Sequence, residues 1–181
     1  MGGLIIPEDK LREIISQMPP IDYIDANGDL IESRQIQFGW GTKKQLNEYL
    51  KLNKEDSYPL TWLLNPRTKT YKDQSSLVDR DCNIVIATLE TRKYMSAMDR
   101  FNASFEIVLN PICELITQGI RSASTTRFLN DYHPQVNDFP DYSEEGNTAE
   151  AGSIEMWDAI RFDCRIEFNN NCLNNIKWIT S

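Results

Sequence analysis

The side chains that could carry chemistry here are few: four cysteines, one histidine and several paired acids. Cys82, Cys113, Cys164 and Cys172 are widely spread, with no C-x-x-C pair between them. Scattered cysteines of this kind read as small buried hydrophobes, and Cys82, Cys113 and Cys164 sit on apolar stripes. With His133 the sole histidine, a zinc site is not expected, and any Ser-His-Asp or Cys-His mechanism would have to use it. Nothing around His133 resembles a nucleophile elbow, so a surface loop histidine is expected. Phosphate-loop, G-x-G-x-x-G, H-E-x-x-H and G-x-S-x-G signatures are all missing. Glu144-Glu145 and Asp79/Asp81 are the paired carboxylates, and acids so close together on loops are expected to be solvated charges. A magnesium site assembled by acids from across the fold, as in a nuclease, stays open as one alternative. No enzyme activity, cofactor or metal is expected.

Elements able to position any site must come from a chain of 181 residues, of which 40% are hydrophobic, with a net charge of −8. That length suits one domain over residues 1–181, and four Trp, seven Tyr and seven Phe can build its core. An acidic balance argues against tight wrapping of nucleic acid, whose phosphates are held by clustered Lys and Arg. The apolar runs are too short to span a bilayer. The start, through Pro7, has the shape of neither a signal peptide nor a myristoylation site, with Ile6 where Ser or Thr is required.

Pro7-Glu8-Asp9 opens a helix, and Leu11, Ile14, Ile15 and Met18 line one of its faces until Pro19-Pro20. Ile21 to Phe38 reads as a protruding hairpin about Asn27-Gly28. Gly39-Trp40-Gly41 then frees the backbone, and Thr42 with Gln45 forms a capping box for a short helix. A strand Tyr58–Leu64 follows, then a polar excursion, Arg67 to Arg80. Asp81 to Thr91 is apolar on nearly both faces, which places it mid-sheet. The main helix runs from Ala103 to about Ser122, with Pro111 expected to kink it or loosen a turn. Gly119 permits close packing or begins the end of that helix.

The segment Asn130–Gly152 mixes prolines, acids and aromatics without period and reads as a long functional loop. Beyond it, Ile160, Phe162, Cys164, Ile166 and Phe168 alternate with Arg161, Asp163, Arg165 and Glu167. One face of that strand should be buried and the other wet, its charges guarding it in or beside a repeated assembly. Ile176, Trp178 and Ile179 allow a terminal strand. The fold class is therefore α+β: a mixed, mainly antiparallel sheet packed by an N-terminal helix and one long kinked helix, with a hairpin (21–38) and a loop (130–152) as excursions.

This order of elements resembles the tail-terminator (tail-completion) and neck-ring proteins of tailed bacteriophages. The similarity is carried by Tyr58-Pro59-Leu60-Thr61-Trp62-Leu63-Leu64, by Cys82–Thr91, by Phe105–Ile120 with its Val-Leu-Asn-Pro-Ile turn, and by Trp157-Asp158-Ala159-Ile160-Arg161-Phe162. In style it is similar to a crAss-like phage neck protein. The resemblance implies a virion protein, made in the host cytoplasm, that forms a homo-oligomeric ring (hexamer or dodecamer) at the head–tail junction. Its partners would be portal or adaptor and tail proteins, with DNA passing through the lumen. It carries no catalytic residues. The candidate interface residues are Trp40, Phe139, Tyr142, Glu144, Glu145 and Trp157, although Trp40 and Trp157 read equally as local core anchors. A monomeric or dimeric binding or regulatory module remains the main alternative.

Overall fold

In the computed structural model, residues 5–24, 30–52, 58–65, 69–71, 77–89, 97–129, 134–139 and 157–179 are described. The fold is α+β, built on a seven-stranded sheet of order β3-β4-β6-β9-β7, with β5 paired to β6 and β8 to β9. Its strands are β3 (Gln37–Gly41), β4 (Leu60–Leu64), β5 (Lys69–Tyr71), β6 (Leu77–Leu89), β7 (Thr126–Phe128), β8 (Gln135–Phe139) and β9 (Trp157–Asn169). Only β3 and β4 are parallel; every other pairing is antiparallel. β1 (Ile21–Ile24) and β2 (Leu30–Arg34) form a separate antiparallel hairpin, as expected of Ile21–Phe38, but Phe38 itself belongs to β3. The Asn27-Gly28 turn lies outside the described residues.

One face of the sheet carries the main core. The first helix, α1 (Pro7–Ile15), buries Leu11, Ile14 and Ile15, the stripe its spacing dictates. The longer helix starts earlier than expected. Its parts are α3 (Ala97–Phe101), a π-helical segment Asn102–Leu109, and α4 (Asn110–Ser122). Pro111 lacks the amide that an α-helix would need at that point, and the turn before it is wound wider: the Asn110 amide donates to the carbonyl of Phe105, five residues back. Phe105, Val108, Leu109, Ile112, Leu115, Ile116 and Ile120 are all buried against Ile84, Ile86, Ile160, Phe162 and Ile166 of the sheet. Gly119 is where α1 and α4 approach. A Cβ there would lie 2.6 Å from Ile14 Cγ2 and 2.8 Å from Trp178 Cη2.

The reverse face holds a second, smaller core. Leu46 and Leu50 of α2 (Lys43–Leu52) pack with Leu60, Trp62 and Leu64 of β4 and with Val85, Ala87 and Ala159. The capping box is present: the Gln45 amide donates to Thr42 Oγ1 (3.3 Å), and the Thr42 amide donates to Gln45 Oε1 (2.9 Å).

Several expectations are corrected. Gly39-Trp40-Gly41 is not a freed linker but strand β3; the glycines are needed because Trp62 lies over them, a Cβ on Gly39 falling 2.5 Å from its ring. Within the expected Arg67–Arg80 excursion, β5 pairs with β6, which begins at Leu77 and carries Asp79 and Arg80 into the sheet. Asp79 is therefore a buried strand residue and not a solvated loop acid, while Asp81 is exposed. The expected loop 130–152 contains β8. The Ile176–Ile179 segment forms no strand. Finally, β9 is not a guarded edge: β6 pairs along its whole length on one side, and β7 and β8 share the other.

Candidate functional site

Three of the six candidate interface residues are described; Tyr142, Glu144 and Glu145 lie outside the described residues, as does His133. Trp40 is on β3 and is 43% exposed. Its ring stacks with Phe38, and the Arg12 guanidinium sits 4.4 Å from its centroid, a cation–π contact. Phe139 ends β8 and is also exposed. Trp157 opens β9 and is half-buried, packed against the smaller core. Trp40 and Phe139 do not meet. From β3 to β8 there are four strand-to-strand steps, or about 19 Å at the usual inter-strand spacing.

What they share is position: each lies on an open end of one sheet. Among the described residues, no strand pairs the outer edge of β3 or of β8. All five residues of β8 are exposed. Open strands of this kind are usually blunted by Lys, Pro or a bulge. The β3 sequence, Gln-Phe-Gly-Trp-Gly, has no charge and no proline, and β8 has a single charge, Asp138.

The reverse face beyond the α2 patch is charged. Arg165 pairs with Asp81 across to β6 (3.6 Å), Arg127 of β7 with Glu167 (2.5 Å), and Arg161 with Asp163 along β9 (3.2 Å). The Glu167 carboxylate hydrogen-bonds Arg127 and raises its pKa above the ordinary arginine range. These charges neutralise one another locally. Among the described residues, no group of three or more His, Cys, Asp or Glu could hold a metal, and no helix is long and apolar enough to cross a membrane.

On the helix face, α4, β8 and the segment around Ile179 border an open groove of about 770 Å³. It is lined by Cys113, Arg121, Val136, Phe162, Lys177 and Ile179, among others. Burial, reinforced by the Asp138 and Glu114 carboxylates, pushes the Cys113 thiol up to about 12, so the groove holds a neutral thiol at pH 7. Cys82 and Cys164, directly opposed on β6 and β9, are both buried. Their mutual hydrogen bond, with burial, raises the Cys164 pKa as well. Of the cysteines, Cys172 alone is exposed.

Sequence reasoning missed the buried pair Arg80–Glu8. Arg80 is 1% exposed in the main core, 2.5 Å from Glu8 in the first turn of α1, and also bonds Asn65. The signal was available: period two, run back from Ile86 through Ile84 and Cys82, puts Arg80 and Val78 on the core face. Leu30 and Ile31, exposed side by side on β2, were also passed over. A scan against protein-family models finds no match to this chain, and a search of curated proteins finds none.

Proposed function

We propose that this chain is a structural subunit that assembles with copies of itself into a ring at the head–tail junction of a tailed bacteriophage. The single observation that supports assembly is a sheet that, among the described residues, is left open at both ends, each end bearing an exposed aromatic, Trp40 or Phe139. A patch at one end that fits a different patch at the other is heterologous, and such contacts close into rings when the rotation closes. The junction assignment rests on the resemblance in element order and local text. In that setting the ring is a hexamer or dodecamer in the virion neck, bound to portal or adaptor and tail proteins. DNA passes through without sequence-specific contacts, helped by a net charge of −8 that does not grip phosphate. The subunit is not an enzyme and carries no cofactor.

Mass photometry across a concentration series, with negative-stain imaging, tests the reading. Rings with a central hole are expected, and a chain that stays monomeric throughout refutes self-assembly. A second reading, a monomeric binding module, is favoured by the groove beside α4, whose volume is in the range of ligand sites. A persistent monomer would select it.

A further inference from the structure

We infer that the two open ends pair with each other between copies: β3 of one subunit adds antiparallel to β8 of the next, Gln37–Gly41 against Gln135–Phe139. This rests on the assembly reading above and specifies its interface. The backbone supplies the first argument. The Gln37 amide donates to Pro59, and the Gly41 carbonyl accepts from Asn65, so alternate residues Gln37, Gly39 and Gly41 point their polar groups at β4. Phe38 and Trp40 therefore point theirs outward, where no strand among the described residues takes them.

Strand direction supplies the second. β3 runs with β4, β4 against β6, β6 against β9, and β9 against β8. β3 and β8 thus run in opposite senses within one subunit. Setting copies side by side with their helix faces on the same side makes the new pair antiparallel, the more stable kind. Both strands have five residues, and Pro134 and Pro140 bound β8, so the lengths match.

Side-chain faces supply the third. Val136 and Asp138 stand opposite Phe162 and Ile160 of the main core, so they share the helix face with Phe38 and Trp40. Full overlap sets Trp40 against Val136, an aromatic–β-branched cross-strand pair. It also sets Phe38 against Asp138, beside the Arg12 cation that lies over Trp40. On the other face, Asn137 and Gln135 stand opposite Gly39 and Gly41, beside the Trp62 ring that covers those glycines, and Phe139 meets Gln37. A one-residue slip would put Trp40 opposite a residue of the wrong face.

The test uses the full chain in a Cys172→Ser background carrying Trp40→Cys with Val136→Cys. Mild oxidation should give a ladder of interchain disulfides on non-reducing gels. Trp40→Cys with Asn137→Cys, whose side chains face opposite ways, should give none. In the otherwise native chain, Val136→Lys should raise the midpoint concentration of assembly about ten-fold or more, with unchanged far-UV circular dichroism. Assembly that is unaffected by Val136→Lys, or a ladder from the wrong-face pair alone, overturns the β3–β8 interface and leaves the ring reading standing. A wild-type chain that never assembles overturns both.

Discussion

Removing Glu8 should destabilise the protein far more than removing a surface acid. Arg80 sits in the main core with its side chain fully covered, held by Glu8 and Asn65. Glu8→Ala leaves that guanidinium buried with the neutral Asn65 amide as its remaining bonding partner among those two. Breaking a buried pair in this way typically costs about 3–5 kcal/mol, a large part of a total stability of roughly 5–15 kcal/mol. With a urea slope of about 2 kcal/mol per molar, the midpoint should fall by about 2 M. Arg80→Met should cost less, because the carboxylate left behind lies at the helix N-terminus, where the dipole favours negative charge. The double variant Glu8→Ala with Arg80→Met should be more stable than Glu8→Ala alone, since two apolar side chains then fill the site. Urea unfolding followed by tryptophan fluorescence gives all three values. Single effects that add within about 0.5 kcal/mol would mean that the two groups do not interact, and would refute this account.

Gly119→Ala should destabilise by about 1–2 kcal/mol net, since overpacking against Ile14 and Trp178 outweighs the helix-propensity gain; thermal denaturation reads it, and Trp178→Ala should relieve it. Thr42→Ala should cost about 1 kcal/mol by opening the capping box of α2, measured by the same denaturation. Above pH 9 the unfolded chain releases the Cys113 proton while the folded chain keeps it until about pH 12. Stability should therefore fall as pH rises through that window, by about 2 kcal/mol at pH 10.5. Cys113→Ala should remove that part of the slope, and a slope identical in both proteins would count against a buried thiol. Gly39→Val should unseat Trp62 and β3, seen as a red shift in tryptophan emission.

Elements with a clean period were legible before the structure. The apolar stripe of α1, the capped start of α2, the proline-led β4 and the alternation in β9 all declare themselves locally. β3 did not, because two glycines erase its pattern, and their purpose is visible only once Trp62 lies across them. β8 was hidden by neighbouring prolines and acids, which dominate composition over five residues. Arg80 was read as polar surface because charge outweighs position until its partner on α1, 72 residues away, is known. For the candidate site, exposure of Phe139 could be anticipated from an aromatic on polar text, whereas Trp40 reads equally as a core anchor. Their placement at opposite ends of one sheet could not, because it depends on pairings between distant strands.

β9 follows every strand it pairs with in chain order, and its ladder with β6 runs from Leu77↔Asn169 to Leu89↔Trp157. During synthesis, then, β6 waits with the N–H and C=O groups of one edge unpaired by β9 until that strand emerges. Closure of such distant partners is slow, since loop entropy is lost before contacts repay it. The ribosome-bound chain thus presents a sticky, half-built sheet for longer than a helical protein of this size would. Newly made chains should lean on holdase chaperones, and β8, whose partner is β9, can take its place in the sheet only once that strand has emerged.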